Sequence, residues 1–222
     1  MNDQSQNLGE MIHGGHPRHR DEWGIEFARI VAFSDGVFAI AITLLVLQIS
    51  VPENLGPGET LLDGLWDQRA DILAYAISFA VLGKLWLLHH RFFSAIERFD
   101  GTLMGLNLLY LAFIAVIPFT SELLGDHDRN STAVIVYAIS MAAVSITFQA
   151  ELIYADRNDL VRPELREVQR VYARPTNLVV AAVFLLSIPI ALISPVAATL
   201  MWPLVLFAAG RRIGDRIVTL RR

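Results

Sequence analysis

Cysteine is missing from all 222 residues. Its absence excludes disulfides, thiolate metal sites and thiol catalysis together. Charge is scarce as well: Asp, Glu, Lys and Arg make up 18% of the chain, below the quarter usual for soluble domains. The first 22 residues hold no apolar h-region, so no cleaved signal peptide is expected and the first hydrophobic helix has to direct insertion. No internal repeat, phosphate loop, paired catalytic carboxylates or Ser-His-Asp set stands out. Neither an enzyme nor a nucleic-acid partner is therefore expected. What the chain does have is apolar length. Hydrophobic residues are 54% of it, in runs that are apolar on every side, which predicts an all-α integral membrane protein.

Six such segments are expected, at 27–51, 72–93, 103–124, 133–154, 177–194 and 196–209. Most reach the roughly 20 residues that cross a bilayer core. The last two are shorter and joined by Ser194-Pro195, so a single re-entrant hairpin is the alternative there. The predicted organisation is a polar, flexible cytosolic tail over 1–24, a six-helix transmembrane domain over 25–212 and a basic cytosolic tail over 213–222. A cytosolic helix is expected from Pro163, with Leu165, Val168 and Tyr172 on one face.

Orientation follows from arginine. Fifteen arginines fall on one side, among them Arg29, Arg91, Arg98, Arg157 and Arg162, against only Arg69 and Arg129 on the other. Both termini are thus expected in the cytosol of a multi-pass protein. The opposite loops are acidic, with Glu53, Glu59, Asp63, Asp67, Glu122, Asp126 and Asp128.

Function is sought at the few polar groups placed at depth, because a carboxylate in hydrocarbon needs a partner or water. The first helix carries Arg29, Ser34 and Asp35. The second ends on Trp86, His89, His90 and Arg91, at matching depth if the two are antiparallel neighbours. An Arg–Asp–His–Trp network linking them is expected. Its structural reading is a clamp between helices, and its functional reading is a proton relay through Asp35 and a histidine. Lys84 lies about 8 Å deeper than His89 and is expected to snorkel or pair. At 100° per residue, Gly36, Ile40, Thr43, Leu44, Leu47 and Val51 fall within about 60° of one line, and Asp35 points about 140° away. The acid and the stripe cannot face the same partner. From pattern alone the stripe is ordinary helix packing.

Arg29-x-x-x-Phe33-Ser34-Asp35, followed by the apolar run to Leu47, resembles the first helix of the transmembrane protein 175 family, potassium-permeable channels of bacteria and of endosomes and lysosomes. Trp86, His89 and His90 resemble that family's partner motif on the second helix. The resemblance implies a homotetramer in the bacterial plasma membrane, with four first helices around a central pore and permeant potassium in place of any cofactor. It implies a pore constriction at Ile40, Leu44 and Leu47 and a possible ion-selecting hydroxyl at Thr43. It implies too that Arg29, Ser34 and Asp35 belong to an inter-helix network. The T-V-G-Y-G filter of ordinary potassium channels is absent from this family and from this chain.

The alternative expectation is a proton-conducting channel or transporter using Asp35 and His89 or His90. A haem enzyme is disfavoured, since adjacent His89 and His90 lie about 100° apart and cannot ligate one iron. His13, His16 and His19 are spaced as metal ligands can be. The surrounding Gly14, Gly15 and Pro17 predict a disordered tail instead, and no metal site is expected.

Overall fold

The computed structural model describes residues 17–52, 56, 58, 60–127, 129–167 and 176–202. Among these the chain is helical, apart from one isolated β-bridge. Helix α1 runs Pro17–Leu44 and continues as a 3-10 turn, Leu45–Gln48. Winding stops there because Ile49 is extended and Pro52 disfavours helix in the residue before it. The helix begins ten residues before the expected 27, within the tail expected to be flexible over 1–24, and ends at Gln48 rather than Val51, so Val51 leaves the helical stripe. A short helix α2, Leu61–Asp67, is fixed by a reciprocal cap between Thr60 and Asp63.

Helix α3 spans Arg69–Ala95, α4 Gly101–Asp126, α5 Ser131–Arg157, α6 Thr176–Ile193 and α7 Pro195–Thr199. The starts of α4 and α5 are capped by Asp100, which accepts from the Leu103 N–H at 2.8 Å, and by Asn130, which accepts from the Thr132 N–H at 2.8 Å. Among the described residues, three helical stretches are long and apolar enough to cross a membrane: Ile25–Gln48, Gly101–Asp126 and Ser131–Arg157. Helix α3 is as long as α5 but is made less apolar by Lys84, His89, His90 and Arg91. Half of the expected sixth segment, from residue 203 on, lies outside the described residues. So does most of the cytosolic helix expected from Pro163, of which one 3-10 turn, Pro163–Leu165, is described.

Helix α5 is the central element, packed along both α4 and α6. Half of its apolar window is buried, against 22% for the first span. Helix α1 therefore sits at the edge of the protomer, laid on α4 and α3. The interior beneath it is built from Phe38, Leu45, Leu82, Leu103, Tyr110, Ile114 and Leu152. In lipid such contacts hold by close packing and interhelical hydrogen bonds rather than by escape from water. At one end, the chain after α3 pairs with the chain after α5. Glu97 N–H donates to the Leu160 carbonyl at 2.8 Å and Arg162 N–H to the Ala95 carbonyl at 3.0 Å. The Tyr154 hydroxyl donates to Asp100 at 2.7 Å across the same end. At the other end, the Gln48 side-chain amide donates to the Pro118 carbonyl at 2.7 Å, tying the 3-10 turn to α4.

Candidate functional site

Helix α1 has two faces of opposite character. Ser34, Phe38, Ala41 and Leu45 recur at helical spacing and are all at most 1% exposed. They bind α1 to its own protomer. The other face carries Phe33, Gly36, Ile40, Thr43, Leu44 and Leu47, all exposed. Ile40 is 62% exposed, Leu44 43% and Leu47 75%. The Thr43 hydroxyl donates back to the Ala39 and Ile40 carbonyls, both at 2.9 Å. Its oxygen keeps lone pairs free to accept from outside the helix.

Ser34 and Asp35 are neighbours with different partners. The Trp86 indole N–H donates to Asp35 Oδ1 at 2.8 Å, joining α1 to α3. Asn107 of α4 donates through Nδ2 to Ser34 Oγ at 3.0 Å. Ser34 in turn donates to the Ile30 carbonyl at 2.9 Å. Asn107 Oδ1 lies 2.9 Å from His89 Nε2. Because the amide nitrogen of Asn107 is spent on Ser34, its oxygen must accept from His89, which fixes the ring proton on Nε2. Donation therefore runs in one direction, from His89 through Asn107 and Ser34 to the α1 backbone. His89 is buried and stacked between Phe93, at 4.4 Å, and Tyr110, at 5.6 Å and 4° between planes. Asp35 lies about 15 Å along the helix from Ile25, so both ties sit well inside the span.

The expected single network is thus divided. Asp35 bonds to Trp86 and not to a histidine. His90 is exposed, and its ring lies 5.5 Å from that of Trp86. Arg29 and Phe33 are exposed and make no hydrogen bond or ion pair with another described residue. Lys84 is half-buried on α3. His13 and His16 lie outside the described residues, as does the side chain of His19. No cluster suited to a metal ion occurs among the described residues.

Three polar residues at depth were not anticipated from sequence. Asn107 is the central member of the buried chain, and its signal was available as the one amide in the apolar run 103–124. Tyr110 stacks on His89. Glu151 is fully buried in α5, where it is the carboxylate deepest within the fourth apolar segment.

Comparison with known proteins places this geometry in context. The family model described as endosomal/lysosomal potassium channel TMEM175 matches residues 29–118, which hold every residue of both ties. A potassium channel of Streptomyces collinus is 46% identical over 133 residues, 56% of this chain and 62% of its own length. The endosomal/lysosomal proton channel TMEM175 of Gallus gallus is 38% identical over 131 residues, 56% of this chain and 26% of that protein. The match thus spans less than two thirds of either relative. The crystal structure of a lysosomal potassium-selective channel TMEM175 homolog from Chamaesiphon minutus superposes with a TM-score of 0.64 at 31% identity, over 84% of this chain and 97% of that one.

Proposed function

The chain belongs to the TMEM175 family of ion channels, not enzymes, and on that footing we propose that it is a potassium-permeable cation channel whose pore is lined by α1. Four copies meet around a shared axis in the bacterial plasma membrane, with both termini cytoplasmic as the arginine distribution favours. The observation that carries this reading is the division of α1 into faces. One face is spent on the protomer. The other is a long, exposed apolar stripe on the least buried of the three spans.

Rings of Ile40, Leu44 and Leu47 form the constriction. An apolar ring gates by dewetting, because an ion passing it sheds water that nothing replaces. The Thr43 oxygens form the one polar ring on that face and select the ion. With no carbonyl cage, discrimination between potassium and sodium is modest. Reversal potentials showing sodium nearly excluded would contradict this.

The test is potassium flux into liposomes, parent against Leu44→Ala. A constriction predicts raised flux from protein that still assembles. Unchanged flux per folded protein, or loss only through unfolding, refutes it. Proton conduction is the second reading, supported by the naming of the Gallus gallus relative as a proton channel. Against a direct relay from Asp35 to His89 stand their separate partners, Trp86 and Asn107. Current that persists without potassium and follows the pH gradient would favour it.

A further inference from the structure

We propose that Glu151 is a proton-binding site, a carboxyl group that keeps its proton at neutral pH inside the α4–α5–α6 bundle, apart from the α1 stripe. Glu151 lies six residues before the end of α5, about 9 Å along the helix. It is 0% exposed, and neither carboxyl oxygen has a hydrogen-bond partner. No ion pair reaches it from the described residues. The ionisable group that faces it from α4 is Tyr110, an electrostatic neighbour whose own buried hydroxyl is also without a partner. Helices α6 and α7 carry no ionisable side chain at all. From α3, His89 stacks on the ring of Tyr110, with its Nε2 proton committed to Asn107.

The alternatives for such a group are few. An ionised carboxylate withdrawn from water is strongly disfavoured even after relaxation, and attraction to a nearby cation or donor is what offsets that cost. Among the described residues neither is found beside Glu151. A carboxyl group in this position neutralises itself instead. Protonated, it becomes one donor and one acceptor of ordinary polarity, compatible with burial in the interior of the protein. The site is not isolated from the pore-lining helix. The ring of Tyr110 lies flat on His89, and His89 begins the donor chain that ends on α1. Losing the proton places a charge behind the stack that holds Ser34.

Infrared spectroscopy of the full-length protein in lipid vesicles tests it. A protonated carboxyl group shows a carbonyl stretch above the amide band, which an ionised one lacks. At neutral pH the parent is expected to show this band, and carbon-13 labelling of glutamate is expected to shift it. Glu151→Gln is expected to remove the band while leaving assembly intact. If that variant does not assemble, Glu151→Met serves in its place, since it fills a similar volume without a titratable group. Absence of the band from the parent at neutral pH overturns the proposal. So does a band that survives in the Glu151 variants, which assigns it to another acid. A band that disappears when potassium or sodium is added overturns it too, because the site then holds a metal cation.

Discussion

Truncating Asn107 is the sharpest perturbation of the helix ties. Asn107→Ala removes the acceptor for His89 Nε2–H and the donor to Ser34. The two losses are unequal. Ser34 keeps its bond to the Ile30 carbonyl, so it loses one donor but leaves no proton unsatisfied. His89 is 1% exposed, and its Nε2–H is left buried with nothing to receive it. An interhelical hydrogen bond within a membrane protein contributes about 0.6 kcal/mol on average and up to about 1.7. Stranding a buried donor adds roughly 1–3 kcal/mol. Asn107→Ala is therefore expected to cost about 2–4 kcal/mol. Ser34→Ala removes the bond to the Ile30 carbonyl and strands the buried Asn107 N–H, so a loss of similar size, about 2–4 kcal/mol, is expected there. The assay is equilibrium unfolding in detergent or bicelles. The double variant His89→Phe with Asn107→Leu is the internal control. Phenylalanine keeps the stack on Phe93 and Tyr110 and carries no ring N–H, so part of the loss is recovered, as expected when both partners become apolar. If Ser34→Ala costs far less than Asn107→Ala, or the double variant shows no recovery, stranded donors are not the source of the loss.

Other outcomes follow from the same geometry. Trp86→Phe deletes the indole donor to Asp35 and is expected to destabilise the fold by about 1–3 kcal/mol, with Asp35→Asn less costly because an amide oxygen still accepts; thermal melts of the three proteins check the order. The Asp100 carboxyl is held below the usual carboxylate range, first by the Leu103 N–H and also by the Tyr154 hydroxyl. A carboxyl lowered in the folded state contributes stability above its unfolded pKa, and that contribution is lost as pH falls through the folded value. Melting temperature should therefore fall on acidification more in the parent than in Asp100→Asn. Gln48→Leu cuts the tie to the Pro118 carbonyl and is expected to cost about 1 kcal/mol while altering potassium flux in liposomes. Flux unchanged at equal folded protein would show that the turn is held by other contacts.

Much of the α1 geometry was legible in the sequence, because helical periodicity alone separates Ser34 and Asp35 from the line through Ile40, Leu44 and Leu47. The membrane class was legible for a similar reason: long runs apolar on all sides have few alternatives. Partner choice was not. Asn107 lies 73 residues from Ser34 along the chain, and no spacing rule says which of two neighbouring helices faces which side chain. Adjacent Ser34 and Asp35, about 100° apart, reach different helices, which a search for one shared network passes over. The end of α1 was misjudged by three residues, since Val51 is apolar enough to continue the run while Pro52 stops the winding. Glu151 went unnoticed because a lone acid late in an apolar segment resembles the charged residues that follow it at Asp156 and Arg157.

The 3-10 turn at the end of α1 has a mechanical consequence. A 3-10 helix turns about 20° more per residue than an α-helix and rises about 0.5 Å more. Rewinding Leu45–Gln48 as α would swing Leu47 by about 60° about the axis and draw it back by about 1.5 Å. Leu44, at the junction, would stay where it is. The last turn is thus a short screw, with Gln48 as its outer fastening, and its pitch alone sets the azimuth of Leu47. Spin labels at residue 47 that keep one separation in all conditions would show the screw never turns.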